Sequence, residues 1–404
     1  MRYTDHSDHN ADEEEGEDPD MPPPDWWTKY DASEDNSVDA NNNDSKLERY
    51  DRELEKLQEY GGFHDLLQSF ELKRGKEAED GEDDGKRISG TFKGCFRLYK
   101  LPMADVEQPD SRKGTFKGLP SSDPITVLVR AYIVKCHDLH PMDSNGKADP
   151  YIVVSVGGQK KKDVENRLTS NLNPEFGRPF EFEITIPLET SMNVQIFDYD
   201  ALGSHDLIGE TCIDLESRYF SRHRGTCGLS LDYSIFGYNE WRDPLRPSQI
   251  LANLCRDYKL KPPQYNTGSI RVAGKMYNGE SELIDENGVI SVTDEHVALI
   301  ALHHWSDIVV AGSATSSECA QLLSETNGQC KLLSEHVETR TLYNPDKPGI
   351  AMGTCEMFID MFDVSGTPPG PMHSMKKWLK QGGNWVVLSI LFKKTGSARG
   401  VCVK

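Results

Sequence analysis

Asp143-Ser144-Asn145-Gly146-Lys147-Ala148-Asp149-Pro150-Tyr151 and Phe197-Asp198-Tyr199-Asp200, the second followed by Asp206, decide how this chain reads. Both stretches sit at the ends of strand-like runs. Ile125, Val127, Val129, Ala131 and Ile133 alternate ahead of the first, and Tyr151–Val156 follows it as a run rich in β-branched residues. Phe182, Ile184 and Ile186 alternate again, as do Val194 and Ile196, and Leu207–Ile213 is a further short run. Period-two patterning in short runs, split by Gly157-Gly158 and Asn173-Pro174, predicts an antiparallel β-sandwich. Strands do not alternate with helices and no glycine-rich phosphate loop is present, which argues against a doubly wound nucleotide enzyme.

The aspartates fall in two clusters. Asp143 and Asp149 share the loop after the first strand. Asp198 and Asp200 are two apart in extended chain, so they face the same way. Asp206 returns to them across Ala201–His205. One such aspartate is an ordinary turn residue. Gathered at one end of a sandwich, they would repel one another unless a hard cation offset them. Ca2+ suits such a set, taking about six to eight oxygens in flexible geometry. An EF-hand loop counted from Asp143 fails, because its last ligand position falls on Val154 rather than Glu. The candidate metal ligands are therefore Asp143, Asp149, Asp198, Asp200 and Asp206, with Ca2+ as the cofactor.

The 404 residues suffice for two to three domains. Lys and Arg total 45 against 66 Asp and Glu, a net charge of −21. Residues 1–50 alone hold 16 acids and 4 bases, so −12 of that charge is local. The net field argues against nucleic acid as a partner. The apolar fraction of 36% is low, and 1–45 is expected to be a disordered acidic segment, with Trp26-Trp27 as an anchor on a neighbouring domain. No stretch reaches the ~18 apolar residues of a membrane span. Trp385–Phe392 fits a buried strand, and the acidic start is not a signal peptide. The 9 Cys are odd in number and lack a CxxC pair, which points to reduced thiols in the cytosol.

Leu47, Leu54 and Leu57 recur at helical spacing and predict an amphipathic helix, ended by Gly61-Gly62. Phe70–Lys73 and Thr91–Leu101 read as strands. His303-His304 follows a helical apolar stretch, Val297–Leu302, and the two rings point to different faces, so they read as packing. No nucleophile–base arrangement is present, and an enzyme is not expected.

The two aspartate stretches, with Asn173-Pro174-Glu175-Phe176 and Asp206-Leu207-Ile208-Gly209-Glu210, resemble a C2 domain and match its five calcium-ligand positions without substitution. Further stretches resemble the ferlins: Asp25–Tyr30, Gly90–Gly94, Cys227-Gly228, Trp241–Gln249, Glu335–Arg340 and Asn344–Gly349. The resemblance spans about residues 22 to 363 and implies a fragment around one late-central C2 domain. Ferlins end in a transmembrane helix, which this chain lacks, and Lys376–Lys404 matches nothing in the family pattern.

The resemblance implies a mainly β fold: an eight-stranded C2 sandwich with a disordered acidic N-terminus and mixed, partly irregular flanks. The expected division is 1–45 disordered, 46–118 a ferlin-like linker, 119–250 the C2 domain, 251–346 a ferlin-like extension with a helical segment, and 347–404 a C-terminal segment that diverges after about 363. Trp241 then belongs to a closing strand as a core residue. Residues 91–101 and 268–278 both stay open as the source of a closing strand.

The expected function is calcium-dependent phospholipid binding, cytoplasmic and peripheral at membranes, with a role in vesicle fusion, trafficking or plasma-membrane repair. Anionic phospholipid membranes are the expected partners, with fusion machinery or other ferlin domains. Met142, Ala201 and Leu202 flank the ligands as apolar tips that could enter the interfacial zone. Lys160, Lys161 and Lys162 could each add about 1 kcal/mol against anionic lipid, or could instead guard a strand edge. The alternative is a calcium-independent interaction scaffold with a structural C2 domain.

Overall fold

The computed structural model describes residues 25–34, 47–64, 68–73, 88–94, 123–279 except 202, 236 and 238, 283–284, 290–291, 293–366 except 327, 369–375, 378–381 and 384–387. Ahead of the main sheet come α1 (Trp26–Glu34), β1 (Glu48–Tyr50) and a hairpin of β2 (Gln68–Lys73) with β3 (Ile88–Gly94). Then follow β4 (Ile125–His137), β5 (Pro150–Val156), β6 (Gln159–Lys162), β7 (Glu175–Ile186), β8 (Ser191–Asp198), β9 (Leu207–Asp214) and the short α2 (Leu215–Phe220). A second unit holds α3 (Pro247–Asp257), the sheet of β10 (Gln264–Asn266), β11 (Ser269–Val272) and β12 (Lys275–Asn278), and the pair β13 (Leu283–Ile284) and β14 (Ile290–Ser291). Helices α4 (Asp294–His303), α5 (Trp305–Ser313) and α6 (Ser317–Glu325) complete it. β15 (His336–Asn344) and β16 (Lys347–Asp363) return to the first sheet, and β17 (Trp378–Gln381) pairs with β18 (Asn384–Val387).

The main sheet runs β6-β5-β8-β9-β15-β16-β4-β7, antiparallel throughout, with β1 added in parallel to β15. Alternate residues of these strands share one core: Val129 and Ile133, Ile152 and Val154, Phe182 and Ile184, Val194 and Ile196, Met357 and Ile359. A strand directs every second side chain to one face, so a shared core across the whole path means the sheet folds over on itself as a sandwich. This is the antiparallel β-sandwich expected from the period-two runs, with the eight strands that the C2 resemblance implies.

The chain leaves the sandwich after β9 and re-enters it only at β15. Between them the second unit packs its own core, including Ile250, Leu254, Ile270, Val297, Leu302 and Ile308. The sandwich is thus closed by strands at 336–363, outside the expected 119–250 range. Among the described residues neither 91–94 nor 268–278 closes it, since β3 pairs with β2 and β11 and β12 belong to the second unit, while 95–101 lie outside the described residues. Trp241 lies in no strand; it packs beside Tyr233 in the second core, and its Nε1 donates to Leu245 O at 2.8 Å. A long insertion between two neighbouring strands costs little beyond loop closure, which grows slowly with length, and strand pattern alone carries no mark of it.

Residues 26–34 depart from the expected disorder. Trp26 stacks on Phe358 at 5.6 Å and Trp27 Nε1 donates to Met375 O at 2.9 Å, while Tyr132, Val134 and Val337 complete this cluster. The aromatic side chains supply the apolar burial that the acidic residues around them lack, and they fold α1 onto the outer face of β4 and β16. The predicted anchor role of Trp26-Trp27 is what the helix performs. The helix expected around Leu47–Leu57 is also absent. β15 meets β9 through one register pair, Tyr343 with Glu210, so its edge near His336–Glu338 is open to β1. Short 3-10 turns at Leu54–Lys56 and Gln58–Phe63 follow, burying Leu54, Tyr60 and Phe63. Residues 1–24, 35–46, 95–122 and 388–404 lie outside the described set. His303 Nε2 bonds Ser230 O at 2.9 Å and His304 stacks on Tyr277 at 5.3 Å, both as packing contacts.

Charged groups lock these pieces together. Glu338 has no exposed surface and lies 2.7 Å from Arg218 and 2.9 Å from Arg340. Its Oε2 also accepts the Leu54 N–H at 3.1 Å. Nearby, Arg242 pairs with Asp360 at 3.3 Å, and Lys29 with Glu335 at 3.2 Å. Removing one partner of such a pair strands the other charge in low dielectric. Glu338→Ala should therefore cost about 3–5 kcal/mol in urea unfolding of the intact chain, more than Arg52→Ala, whose pair with Asp51 is exposed. His336 provides a pH signature. Burial pushes its pKa down to about 4. Between that value and about 6.5 the unfolded chain takes up a proton that the folded chain refuses, so stability should rise with pH across that window. The slope from this residue is at most about 1.4 kcal/mol per pH unit, and urea midpoints at several pH values should show it shrink in His336→Asn.

Candidate metal centre

The loop from β4 to β5 is shaped by its own backbone. The N–H groups of Met142 and Asp143 donate to Lys147 O at 3.1 and 3.0 Å, and Gly146 N–H donates to Asp143 O at 3.0 Å. Gly146 takes a φ of 74°, a turn conformation that favours glycine. Register then brings the second cluster alongside, because Pro150 pairs with Asp198. Asp149 N–H donates to Asp198 Oδ1 at 2.6 Å, and Tyr199 N–H donates to Asp149 O at 3.1 Å. Asp198 N–H donates to Asp206 O at 2.8 Å, and Ser170 N–H donates to Asp149 Oδ1 at 2.7 Å. The structure thus places both predicted clusters at one end of the sandwich, at the β4–β5 and β8–β9 connections.

The electrostatics centre on Asp198, which is 2% exposed. Burial raises its pKa above the usual carboxylate range; the Asp149 N–H works against this, and the charges of Asp143, Asp200 and Asp149 add to it. Among the described residues, none of the five aspartates forms an ion pair with a Lys, Arg or His. The donor set therefore fits a hard divalent cation: carboxylate oxygens, one group of them buried, with no Lys, Arg or His paired to them among the described residues. The side chains are not drawn around a single point, however. Among the described residues no three Asp, Glu, His or Cys groups converge closely enough to hold an ion.

The expected lipid contacts separate. Met142 is half-buried and packs against the sandwich core, which corrects its reading as an outward tip. Ala201 is exposed, and Leu202 lies outside the described residues. Lys160, Lys161 and Lys162 are all exposed on β6, the edge strand of the sheet, so the edge-guarding reading keeps its place. They do not form one patch, because alternate residues of a strand face opposite ways. Lys161 donates to Glu181 O and lies 5.0 Å from the Phe182 ring centroid. Lys160 and Lys162 instead line a depression of about 320 Å³ with Tyr151, Phe197, Ser204 and His205. Tyr151 Oη and His205 Nδ1 are hydrogen-bonded there at 2.7 Å. Reading from sequence missed Tyr151 and His205. The pairing of Tyr151 with Phe197 becomes visible only through strand register.

Two family models match the chain: the C2 domain over residues 127–229, and the ferlin dsRNA-binding domain-like domain over 220–307. The chain is 39% identical over 332 residues to the Fer-1-like protein 4 of Mus musculus, covering 80% of this chain and 16% of that protein. It is 35% identical over 351 residues to the myoferlin of Homo sapiens, covering 86% of this chain and 16% of that protein. The chain thus spans about a sixth of the length of these relatives. Among solved structures, a C2 domain of plant Extended Synaptotagmin 1 covers 23% of this chain and 71% of its own, at 24% identity and a TM-score of 0.21. Most of the second core lies within the stretch matched by the ferlin-specific domain, and Ile308, Val309, Cys319, Cys330 and Leu332 extend it beyond residue 307; this inserted unit is why β9 and β15 are so far apart in sequence. Through its C2 domain and the ferlin dsRNA-binding domain-like domain that interrupts it, the chain belongs to the ferlin family.

Proposed function

We propose that this chain is a calcium-dependent module for anionic phospholipid membranes. The supporting observation is the Asp198 carboxylate, buried among other carboxylates and balanced by no cation among the described residues. Asp143, Asp149, Asp198, Asp200 and Asp206 would hold the ion. Ca2+, when bound, supplies positive charge and coordination positions that lipid phosphate oxygens can fill. The chain's own residues do the rest. The aspartates repel anionic lipid until they are neutralised. The backbone bonds of Asp149 and Asp198 hold the two loops in register. Lys160 and Lys162 present charge to phosphate groups beside Tyr151 and His205, and Ala201 offers an exposed small apolar surface.

On this reading the module acts peripherally at membranes in the cytoplasm, in vesicle fusion, trafficking or plasma-membrane repair, with fusion machinery or other ferlin domains as further partners, and without catalysis. Among the described residues no helix is long and apolar enough to cross a membrane. No nucleic-acid partner is proposed for the second unit. The first turn of α4 carries Asp294 and Glu295, and Glu295 is spent on Ser248 at the start of α3, accepting its N–H and hydroxyl at 2.8 Å. The scaffold reading draws on one observation, the lack of three convergent metal-binding side chains among the described residues.

Calorimetric titration of Ca2+ into the intact chain separates the two readings. Saturable binding that tightens with phosphatidylserine vesicles and disappears in Asp198→Asn/Asp200→Asn is the expected result; no heat at millimolar Ca2+ would favour the scaffold. Lysine placement gives a second expectation. Lys160→Glu/Lys162→Glu should weaken Ca2+-dependent vesicle binding by about tenfold or more, whereas Lys161→Glu should change it less, as measured by vesicle sedimentation.

A further inference from the structure

We infer that the β15–β16 hairpin is an additional membrane-contacting element, touching the same anionic phospholipid surface as the aspartate loops; this rests on the proposed function. Strand direction carries the first part of the argument. β8 ends at Asp198, so it runs toward the aspartate end, and β9 runs away from it. β15 is antiparallel to β9 and returns to that end, and β16 then leaves it alongside β4. The connection at Asn344–Lys347 therefore lies with the aspartate loops. The second unit, inserted after the far end of β9, lies away from them.

Contacts place the hairpin between the two loops. On one side His140 N–H donates to Met352 O at 3.1 Å. Gly353 approaches so closely that a Cβ there would come within 2.8 Å of His137 O and 3.0 Å of Asp138 O. On the other side Asn344 Nδ2 donates to Leu207 O at 2.7 Å, next to Asp206.

The tip itself is irregular in a way that exposes apolar surface. Tyr343 pairs with Ala351 and Asn344 with Lys347, so Pro348, Gly349 and Ile350 bulge from the ladder between those pairs. Bulges of this kind re-aim side chains away from the sheet. Ile350 is 55% exposed and Tyr343 42% exposed. Asp346 offsets the charge of Lys347, so the hairpin adds apolar insertion rather than net charge. An exposed aliphatic and an aromatic side chain beside an ion-gated phosphate site suit the interfacial zone of a bilayer.

The test is sedimentation of the intact chain with phosphatidylcholine–phosphatidylserine vesicles in Ca2+. Ile350→Asp should lower vesicle partitioning about tenfold, and Ile350→Gln should lower it by a smaller factor. Leu188→Asp, at a site 76% exposed in the turn between β7 and β8 at the opposite end, should leave it unchanged. Ca2+ titration without lipid should be the same for all, showing that the variants fold. Wild-type partitioning retained by both Ile350 variants would overturn the hairpin inference and leave the proposed function standing. Failure of the unsubstituted chain to partition with Ca2+ would overturn the proposed function, and the inference with it.

Discussion

The pairing of β16 with β4 is the constraint on which the rest of the molecule depends. It runs from Thr354 against His137 to Asp363 against Val127, the length of the sandwich. Without it β4 would keep an open edge and the core residues Met357 and Ile359 would have no place. The same pairing obliges the chain to return after its long excursion through the second unit. It also aligns Phe358 with Tyr132 at 4.4 Å on the outer face, making the seat on which Trp26 and Trp27 dock. Core closure, attachment of α1 and the direction of the β15–β16 hairpin thus follow from one ladder.

Two buried acids show how setting decides role. Glu338 lies between two guanidinium groups and accepts a backbone N–H, so its charge is neutralised within the fold. Its pKa stays below the usual range despite burial, because Arg218 and Arg340 favour the ionised form. Asp198 has one backbone N–H and otherwise only other carboxylates, and its pKa moves the other way. The first arrangement fastens the 3-10 turn at Leu54–Lys56, α2 and β15 together. The second leaves Asp198 beside other carboxylates with no Lys, Arg or His paired to it among the described residues.

Several features are legible in the residues alone. Alternation from Ile125 to Ile133 and from Phe182 to Ile186 places strands correctly, because a half-buried strand must repeat every second residue. The five aspartates stand out because their number exceeds what turns require. The helix at Trp26–Glu34 is hidden because acidic composition outweighs a few aromatic residues in any local window, and its stability comes from partners more than 300 residues away, such as Phe358 and Met375. The second unit is hidden for a related reason: a strand pattern does not reveal which strands are neighbours.

By itself, the sequence determined the strand class, the acidic loops and the family, since each depends on residue type and short spacing. Only the tertiary structure decided that β15 and β16 close the sandwich, that Lys160 and Lys162 face one way and Lys161 another, and that Met142 packs inward while Ile350 does not. These are matters of register and of proximity between distant segments. They are settled by which backbone edges satisfy one another and which apolar faces are left to cover, and no local window of residues contains that information.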